Sequence, residues 1–418
     1  MDIAAVHAVE ILDSRARPTL AVTVTLADGT AARASVPSGA STGSREAVEL
    51  RDGDPARYAG KGVATAVGHV NGEIAAALVG RGFADLAAVD AALVELDGTA
   101  TKVRLGANAV VGVSMAAARA AAISAGVPLW RSLAPAGVPA RLPWPCFNVL
   151  NGGVHAPNSL DFQEFMVTPL GAPTLTEAVR AGAEVYAALR ARLAGKGLST
   201  GLGDEGGFAP EIDAPEDVLA TLVDAIDEAG YRAGRDGVAI ALDPAASEFY
   251  RDGAYRVAGE RLSTDDMIAR YTAIFDRFPV WSLEDGLAES DWEGWQRLTA
   301  AVGHRVQIVG DDLLVTNPAI IADGIDRNAA NAALIKVNQI GTVTETLEAM
   351  RLCREAGWAA MVSHRSGETE DTFIADLAVG TGCGQIKTGA PARGERVAKY
   401  NRLIEIEAGN RQLPYGPA

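Results

Sequence analysis

In the second half of this 418-residue chain, short apolar runs end one after another in a charged or ionisable side chain. Ile240-Ala241-Leu242 leads into Asp243, Val280 to Leu283 into Glu284, and Ile308 to Gly310 into Asp311. Ala333 to Ile335 leads into Lys336, Met361 to Ser363 into His364-Arg365, and Gln385-Ile386 into Lys387. A lone carboxylate after a strand usually caps a helix. Three gathered in one pocket repel one another unless a cation sits among them. An all-oxygen ligand set selects a hard ion, Mg2+ before Ca2+ or Zn2+. No HxxxH, HExxH or CxxC pattern points to zinc. Lysine is scarce: residues 61, 102, 196, 336, 387 and 399 are the six among 37 lysines and arginines. Arginine stays protonated, whereas lysine can lose its proton and act as a base. Lys336 and Lys387, kept at strand ends, are therefore candidates for work that arginine cannot do.

The six groups Asp243, Glu284, Asp311, Lys336, His364 and Lys387 are separated by 41, 27, 25, 28 and 23 residues. One strand and one return helix per unit fit that rhythm, which is the period of a parallel β/α barrel. Strand C-termini of such a barrel converge on one face, so the groups would meet in a single pocket. Two glycine-rich segments, Asn151-Gly152-Gly153-Val154-His155 and Gly203-Asp204-Glu205-Gly206-Gly207, each hold a functional side chain in tightly turning backbone. A carboxylate such as Glu205, placed near other acids, can have a raised pKa and donate a proton. Gln163 and Glu164 follow the His155 loop and could complete its hydrogen bonding. Ser363 to Gly367 offers the Arg365 guanidinium and the Ser366 hydroxyl as a phosphate clasp, with a structural arginine–carboxylate pair as the competing reading.

Ahead of the barrel, Thr19 to Leu26 alternates as a strand, Asp28-Gly29 signals a hairpin turn, and Ala31 to Val36 returns. A loop of small residues follows, from Val36 to Ser44. Val63 to Ala125 reads as helical, with Asn108 as an N-cap and Gly126 and Pro128 as stop signals. These patterns predict an α/β protein: an α+β capping domain over residues 1–135, carrying a mobile loop at 36–44, then a barrel domain over 136–418. Phe165 to Val167 and a helix from Thr176 to Leu193 are its early elements.

A net charge of −16 and a pI near 4.8 argue against nucleic acid or an anionic membrane as partner. The most apolar stretch, Ala107 to Val127, contains Asn108, Ser114 and Arg119 and reads as a buried helix. Asp2, His7 and Glu10 are unlike a signal peptide, and three scattered cysteines suggest reduced thiols, so a cytoplasmic location is expected.

Nine stretches in order carry a resemblance to enolase, the phosphopyruvate hydratase of glycolysis. They include VPSGASTGSREAVELRDGD (36–54), NVLNGGVHAPNSLDFQEFMV (148–167), GDEGGFAP (203–210), SLEDGLAESDW (282–292), VGDDLLVTN (309–317), LIKVNQIGTVTETLEA (334–349) and SHRSGETEDTFIADLAVG (363–380). The resemblance implies an enolase-type (α/β)8 TIM-like barrel, opening with an irregular ββαα unit behind an α+β cap. It implies Asp243, Glu284 and Asp311 as ligands of one Mg2+, with Ser41 binding a second that arrives with substrate. Lys336 would be the base at C2 of 2-phosphoglycerate, and Glu205 the acid at the C3 hydroxyl with Glu164 assisting. His155, Gln163, His364, Arg365, Ser366 and Lys387 would contact substrate, a small anionic phosphorylated hydroxy acid. Homodimers or octamers of dimers are the usual assembly.

Several positions depart from the family pattern. Ala16-Arg17 stands where Gly-Asn is usual, Ala21 where an acid is common, Glu405 where an arginine is common, and Pro157 follows His155 closely. Ala21 and Glu405 belong to regions used for dimer contacts. Two other readings are compatible with parts of the pattern. One is a paralogue of secondary metabolism that dehydrates a phosphonate or carboxyphosphonate analogue. The other is non-catalytic surface binding of plasminogen, against which the ending Pro417-Ala418 weighs because that role leans on a C-terminal lysine.

Overall fold

Strands β1 (Ile3–Leu12), β2 (Pro18–Leu26) and β3 (Ala31–Ser35) form an antiparallel sheet in that order in the computed structural model, which describes residues 1–417. Ala418, and with it the reading of the chain end, lies outside the described residues. β2 and β3 and their Asp28-Gly29 turn fall where the alternation predicts, with Gly29 at φ +86°. β1 carries no such signal: IAAVHAVEIL does not alternate cleanly, because much of one face is exposed while the strand stays apolar. In the β1–β2 turn, the Asp13 carboxylate accepts from the backbone N–H groups of Arg15 (2.8 Å) and Arg17 (2.9 Å). Ala16 there takes φ +56°, a conformation that costs alanine more than glycine, so this departure from the family pattern falls on the strained residue itself.

The helix Ala107–Ser124 lies across β2 and β3 and is 78% buried. Among the described residues it alone is long and apolar enough to cross a membrane, and it is spent on this core instead. Asn108 is not its N-cap, contrary to the sequence expectation. The helix starts after Gly106 (φ +93°), and the Asn108 amide pairs both ways with the backbone of Leu50 at 3.1 Å. An asparagine that can satisfy a passing strand-like segment is worth more there than at the cap, whose position glycine fills by conformation.

The barrel closes in the order β10-β11-β12-β13-β14-β4-β5-β6. Its strands are β4 (Trp144–Asn151), β5 (Glu164–Thr168), β6 (Ala239–Asp243), β10 (Val280–Glu284), β11 (Gln307–Gly310), β12 (Ala332–Ile335), β13 (Ala359–Ser363) and β14 (Gln385–Lys387). All neighbours are parallel except β5, which runs against both β4 and β6. The loop 152–163 between β4 and β5 holds only a 3-10 turn, too little for the crossover helix a parallel return needs. Helices Leu175–Gly195 and Pro215–Glu228 then precede β6, giving the ββαα opening. The long spacing from Asp243 to Glu284 has a local cause. A three-stranded excursion, β7 (Tyr250–Arg251), β8 (Ala254–Val257) and β9 (Glu260–Leu262), precedes the return helix Thr264–Arg277.

Residues of the first 135 grip the barrel through one helix N-terminus. The helix Val343–Glu355 is capped by Thr342, and its next free N–H groups reach across: Val343 N donates to Ser114 Oγ (2.9 Å) and Thr344 N to Asp90 Oδ2 (2.9 Å). The Thr344 hydroxyl donates to the same oxygen at 2.6 Å. Asp90 is buried, so both bonds replace hydration that the site excludes. Asp90→Ala leaves a helix-terminal N–H without an acceptor, and about 1–2 kcal/mol of stability should be lost. A urea unfolding midpoint unchanged by the substitution would show that this contact does not hold the two parts together.

Candidate active site

The strand ends meet as the spacing predicts. Asp243, Glu284 and Lys387 are the last residues of β6, β10 and β14, while Asp311, Lys336 and His364 follow β11, β12 and β13 directly. Glu164 joins them from the opposite direction. Because β5 is antiparallel, its first residue lies on the face where the other strands end, in register with Asp243. His155 comes from the loop 152–163 and Glu205 from the segment between the two helices that precede β6. That segment packs against β4: a Cβ on Gly203 or Gly207 would lie within 2.8 Å of the Asn151 carboxamide oxygen. One cavity is lined by Ser41, His155, Gln163, Glu164, Glu205, Asp243, Lys336, His364, Arg365, Ser366 and Lys387.

Electrostatic compensation inside it is specific. The Lys387 ammonium lies 2.7 Å from Glu284 Oε1, 3.1 Å from Asp243 Oδ2 and 3.4 Å from Glu164. Burial works against that charge, but Glu164, Glu284 and Asp243 outweigh it and hold the pKa of Lys387 well above the lysine value. Lys387 thus links Asp243 and Glu284. Asp311 instead groups with Asp285 and Asp312, carboxylate oxygens of the three lying within 4.8 Å of one another. Asp285 accepts from the backbone N–H groups of Asp311 and Asp312, both at 2.9 Å, and so orients the turn that presents Asp311. Nothing in the sequence singles out Asp285 beyond its adjacency to Glu284. Asp243, Glu284 and Asp311 offer only carboxylate oxygens, the donor chemistry that suits a hard divalent ion.

Lys336 lies 2.5 Å from Asp311 Oδ2. Work as a base needs a neutral lysine, which burial and neighbouring cations favour. Burial, Arg365 and Lys387 do push that way, but contact with Asp311 wins and raises the pKa of Lys336. Its backbone is fixed from behind: Lys336 N donates to Thr316 Oγ1 (2.9 Å), which donates to Gln339 Oε1 (2.7 Å). Val315 and Thr316 hold φ of +44° and +55°, strained values for β-branched residues.

On the acid side, the oxygens of Glu164 and Glu205 and a His155 nitrogen lie within 4.8 Å of one another. The expectation of a raised Glu205 is corrected. Burial alone would raise it, but His364, His155 and Arg396 pull it well below the usual range, whereas burial and the Glu205 charge push Glu164 well above. The pair thus favours one proton, resting on Glu164. Gln163 does bond the His155 loop, its backbone carbonyl accepting from the Gly152 N–H at 3.0 Å, but neither Gln163 nor Glu164 reaches the His155 ring. Glu164 Oε1 is 3.9 Å from Nδ1, and both ring nitrogens, like Gln163 Oε1, are buried without a protein partner. Buried polar atoms left open along one cavity wall are what a polar ligand would satisfy.

His364 Nδ1 lies 2.6 Å from Arg396 Nη1. A guanidinium only donates, so Nδ1 accepts, and the network assigns the ring proton to Nε2, 3.2 Å from Glu205 Oε2. At the far end of the cavity Arg365 donates to Glu46 (3.0 and 3.1 Å), Asn338 Oδ1 (2.9 Å) and Ser41 O (3.3 Å). The Ala40 backbone N–H donates to Ser366 Oγ (3.1 Å), so the loop 38–44 lies over this end. Arg365 thus forms the arginine–carboxylate pair of the competing reading, and it also lines the cavity.

Comparison with known proteins agrees with this geometry over almost the whole chain. The family model described as "Enolase, N-terminal domain" matches residues 3–133, and "Enolase, C-terminal TIM barrel domain" matches residues 139–412. The chain belongs to the enolase family. It is 58% identical over 408 residues to the enolase of Rubrobacter xylanophilus, covering 97% of this chain and 94% of that one. It is 57% identical over 406 residues to the enolase of Acidothermus cellulolyticus (97% and 94% covered). Enolase 1 of Methylococcus capsulatus is 56% identical over 410 residues, 97% of each chain. The departures stay outside the cavity: Pro157 is exposed, Ala21 is buried in β2, and Glu405 is an exposed partner of Arg402 at 3.6 Å.

Burial first, and Arg396 after it, lower the pKa of His364 to about 4, against an opposing pull from Glu205. The unfolded value is near 6.5, so between these limits the unfolded chain binds the extra proton. The stability tied to neutral His364 is complete above pH ~6.5 and is lost as pH falls toward 4, up to about 3 kcal/mol. NMR titration of the ring should show no protonation at pH 5.5, and His364→Gln should flatten the acid limb of the stability profile. A ring that titrates near 6.5 in the folded protein contradicts the tautomer assignment.

Proposed function

We propose that this protein catalyses the reversible, Mg2+-dependent dehydration of 2-phospho-D-glycerate to phosphoenolpyruvate. The observation that carries the reading is one buried cavity that brings Lys336, Lys387 and Asp243 together with Glu164 and Glu205 gathered round His155. Residues 1–135 act as the cap that brings Ser41 and the loop 36–44 to the barrel mouth.

The proton at C2 is weakly acidic because it lies beside a carboxylate, and its removal adds charge to an existing anion. Lys336 takes that proton. Lys387 faces the same charge and stabilises it electrostatically, in a pocket too dry for water to do so. Glu205 donates to the departing C3 hydroxyl, drawing on the proton it shares with Glu164, and His155 and Gln163 offer the open polar atoms that orient substrate. Arg365 and Ser366 bind the phosphate end, with His364 steering Glu205 through Nε2. Asp243, Glu284 and Asp311 would hold one Mg2+ and Ser41 would ligate a second; when bound, these ions would supply positive charge against the substrate carboxylate. A lysine base acting with Mg2+ is the general pattern of enolase-type sites. Assembly as a homodimer or octamer of dimers rests on the family resemblance alone.

Turnover of 2-phosphoglycerate should vanish in excess chelator and return with Mg2+; full activity in chelator would sink the metal assignment. Lys336→Arg keeps the charge but forbids the neutral form, and should cost at least roughly 100- to 10,000-fold in kcat. Glu205→Gln should dehydrate poorly yet retain exchange of the C2 proton with solvent, since deprotonation precedes departure of the hydroxyl. Near wild-type dehydration by Lys336→Arg would reduce Lys336 to an electrostatic contact.

A further inference from the structure

Glu46 has no role in the chemistry above, yet more of the site converges on it than on any loop residue around it. Its Oε2 accepts from Arg365 Nη1 at 3.0 Å, and its Oε1 from Arg365 Nη2 at 3.1 Å, the parallel two-bond arrangement that fixes a guanidinium in plane and direction. The same Oε1 accepts from the Gly43 N–H at 3.1 Å, at the end of the loop 38–44. It also accepts from Gln339 Nε2 at 3.2 Å. Gln339 Nε2 donates in turn to Asp311 Oδ1 (2.9 Å), and Asp311 Oδ2 meets Lys336 at 2.5 Å. One carboxylate thus touches the loop, the phosphate-end arginine and, through one amide, the proposed base.

We propose that Glu46 is a positioning residue: it aims Arg365 at the phosphate end of the substrate and couples closure of the loop 38–44 to that aim. The inference rests on the assignment of Arg365 to the phosphate. Space makes the restraint necessary. On the other side of the Arg365–Glu46 pair lies a second cavity of about 420 Å³, bordered by Arg17, Ser38, Glu49 and Lys61. A guanidinium without Glu46 has room to turn into it. The loop fits the restrained position and little else: a Cβ on Gly39 would lie 2.2 Å from Arg365 Nη2. With both Nη groups engaged by Glu46, Asn338 and Ser41, the Nε–H of Arg365 is the donor not committed to them. Nε–H is therefore open to a phosphate oxygen while the Glu46 pair stays intact.

The test is a double-mutant cycle in the full-length protein with Mg2+, read by the inhibition constant of inorganic phosphate and by KM and kcat for 2-phosphoglycerate. Glu46→Gln should weaken phosphate and raise KM by about 10- to 100-fold, the cost of misplacing a binding group by an ångström or so. Arg365→Ala should weaken phosphate as well, and adding Glu46→Gln to it should change phosphate binding less than twofold, because its target is gone. Glu46→Asp keeps the charge at a shorter reach and should recover part of the loss; it also covers the case in which Glu46→Gln does not fold. Three results overturn the proposal. One is phosphate affinity unchanged in Glu46→Gln while Arg365→Ala is weakened. Another is an equal loss from Glu46→Gln in both backgrounds, which marks a purely structural role. The third is tighter phosphate binding in Glu46→Gln, which would make Glu46 a competitor for Arg365. If Arg365→Ala itself leaves phosphate untouched, the assignment of the phosphate end fails and this inference falls with it.

Discussion

A crowd of buried carboxylates is the constraint around which the molecule is arranged. Glu164, Glu205, Asp243, Glu284, Asp285, Asp311 and Asp312 are all buried at one end of the barrel. Ionised acids packed this closely in a low-dielectric interior cannot persist without cations or shared protons. Five of them are answered by named groups. Lys387 sits among three, Lys336 holds Asp311, Arg396 and two histidines surround Glu205, and Glu164 takes up a proton. Truncating Lys387 leaves Asp243 and Glu284 without the ammonium they share, so these positions are interdependent in stability as well as in chemistry.

That interdependence explains why so much of the surrounding backbone is strained or fully bonded. Asp285, Val315 and Thr316 all hold positive φ, and each stands directly behind a charged group: Asp285 receives the N–H groups of Asp311 and Asp312, while Thr316 braces Lys336. Strain of this kind persists only where surrounding contacts over-determine it. The barrel supplies them, since below the charged end its interior is filled by Cys146, Met166, Ala239, Ala241, Trp281, Val309, Ala332, Leu334 and Met361. Small alanines beside bulky Trp281 and the two methionines let the strands close tightly enough to hold the ends in register. The residues before the barrel add what a barrel rim cannot. Ser41 and Glu46 approach from above, and Asp90, Ser114 and Lys102 pin the cap to the helix Val343–Glu355, so the loop is anchored at a defined height over the cavity.

The chemistry of individual strand ends was legible in the chain itself. Apolar runs closing on Asp243, Glu284, Asp311, Lys336, His364 and Lys387 mark both the phase of the barrel and the face of the site, because strand direction and strand-end convergence are local consequences of a repeating β/α unit. The β2–β3 hairpin, the buried helix and the two glycine-rich loops are likewise local patterns. Where the pattern is not local, sequence reasoning goes astray. β1 shows no alternation, Asn108 serves Leu50 in place of a cap, and β5 reverses direction because its loop is too short for a crossover. Only that reversal places Glu164 beside Asp243.

Protonation and partnership were decided by the tertiary structure alone. The family resemblance implies Glu164 and Glu205 as an acid pair, but which one keeps the proton depends on a sum over His155, His364, Arg396, Lys387 and the depth of burial. Lys336 as a candidate base is visible from its scarcity and its strand end, whereas its hold by Asp311 exists only once β11 and β12 lie side by side. Glu46 stands in an ordinary-looking stretch, Gly43-Ser44-Arg45-Glu46, and gains meaning because the fold brings Arg365 and Gln339, some 300 residues away, within hydrogen-bond reach. Sequence fixes which groups a strand or loop can present. Distances of three ångströms between groups far apart in the chain set their charges and their work, because Coulomb and desolvation energies depend on every neighbour at once.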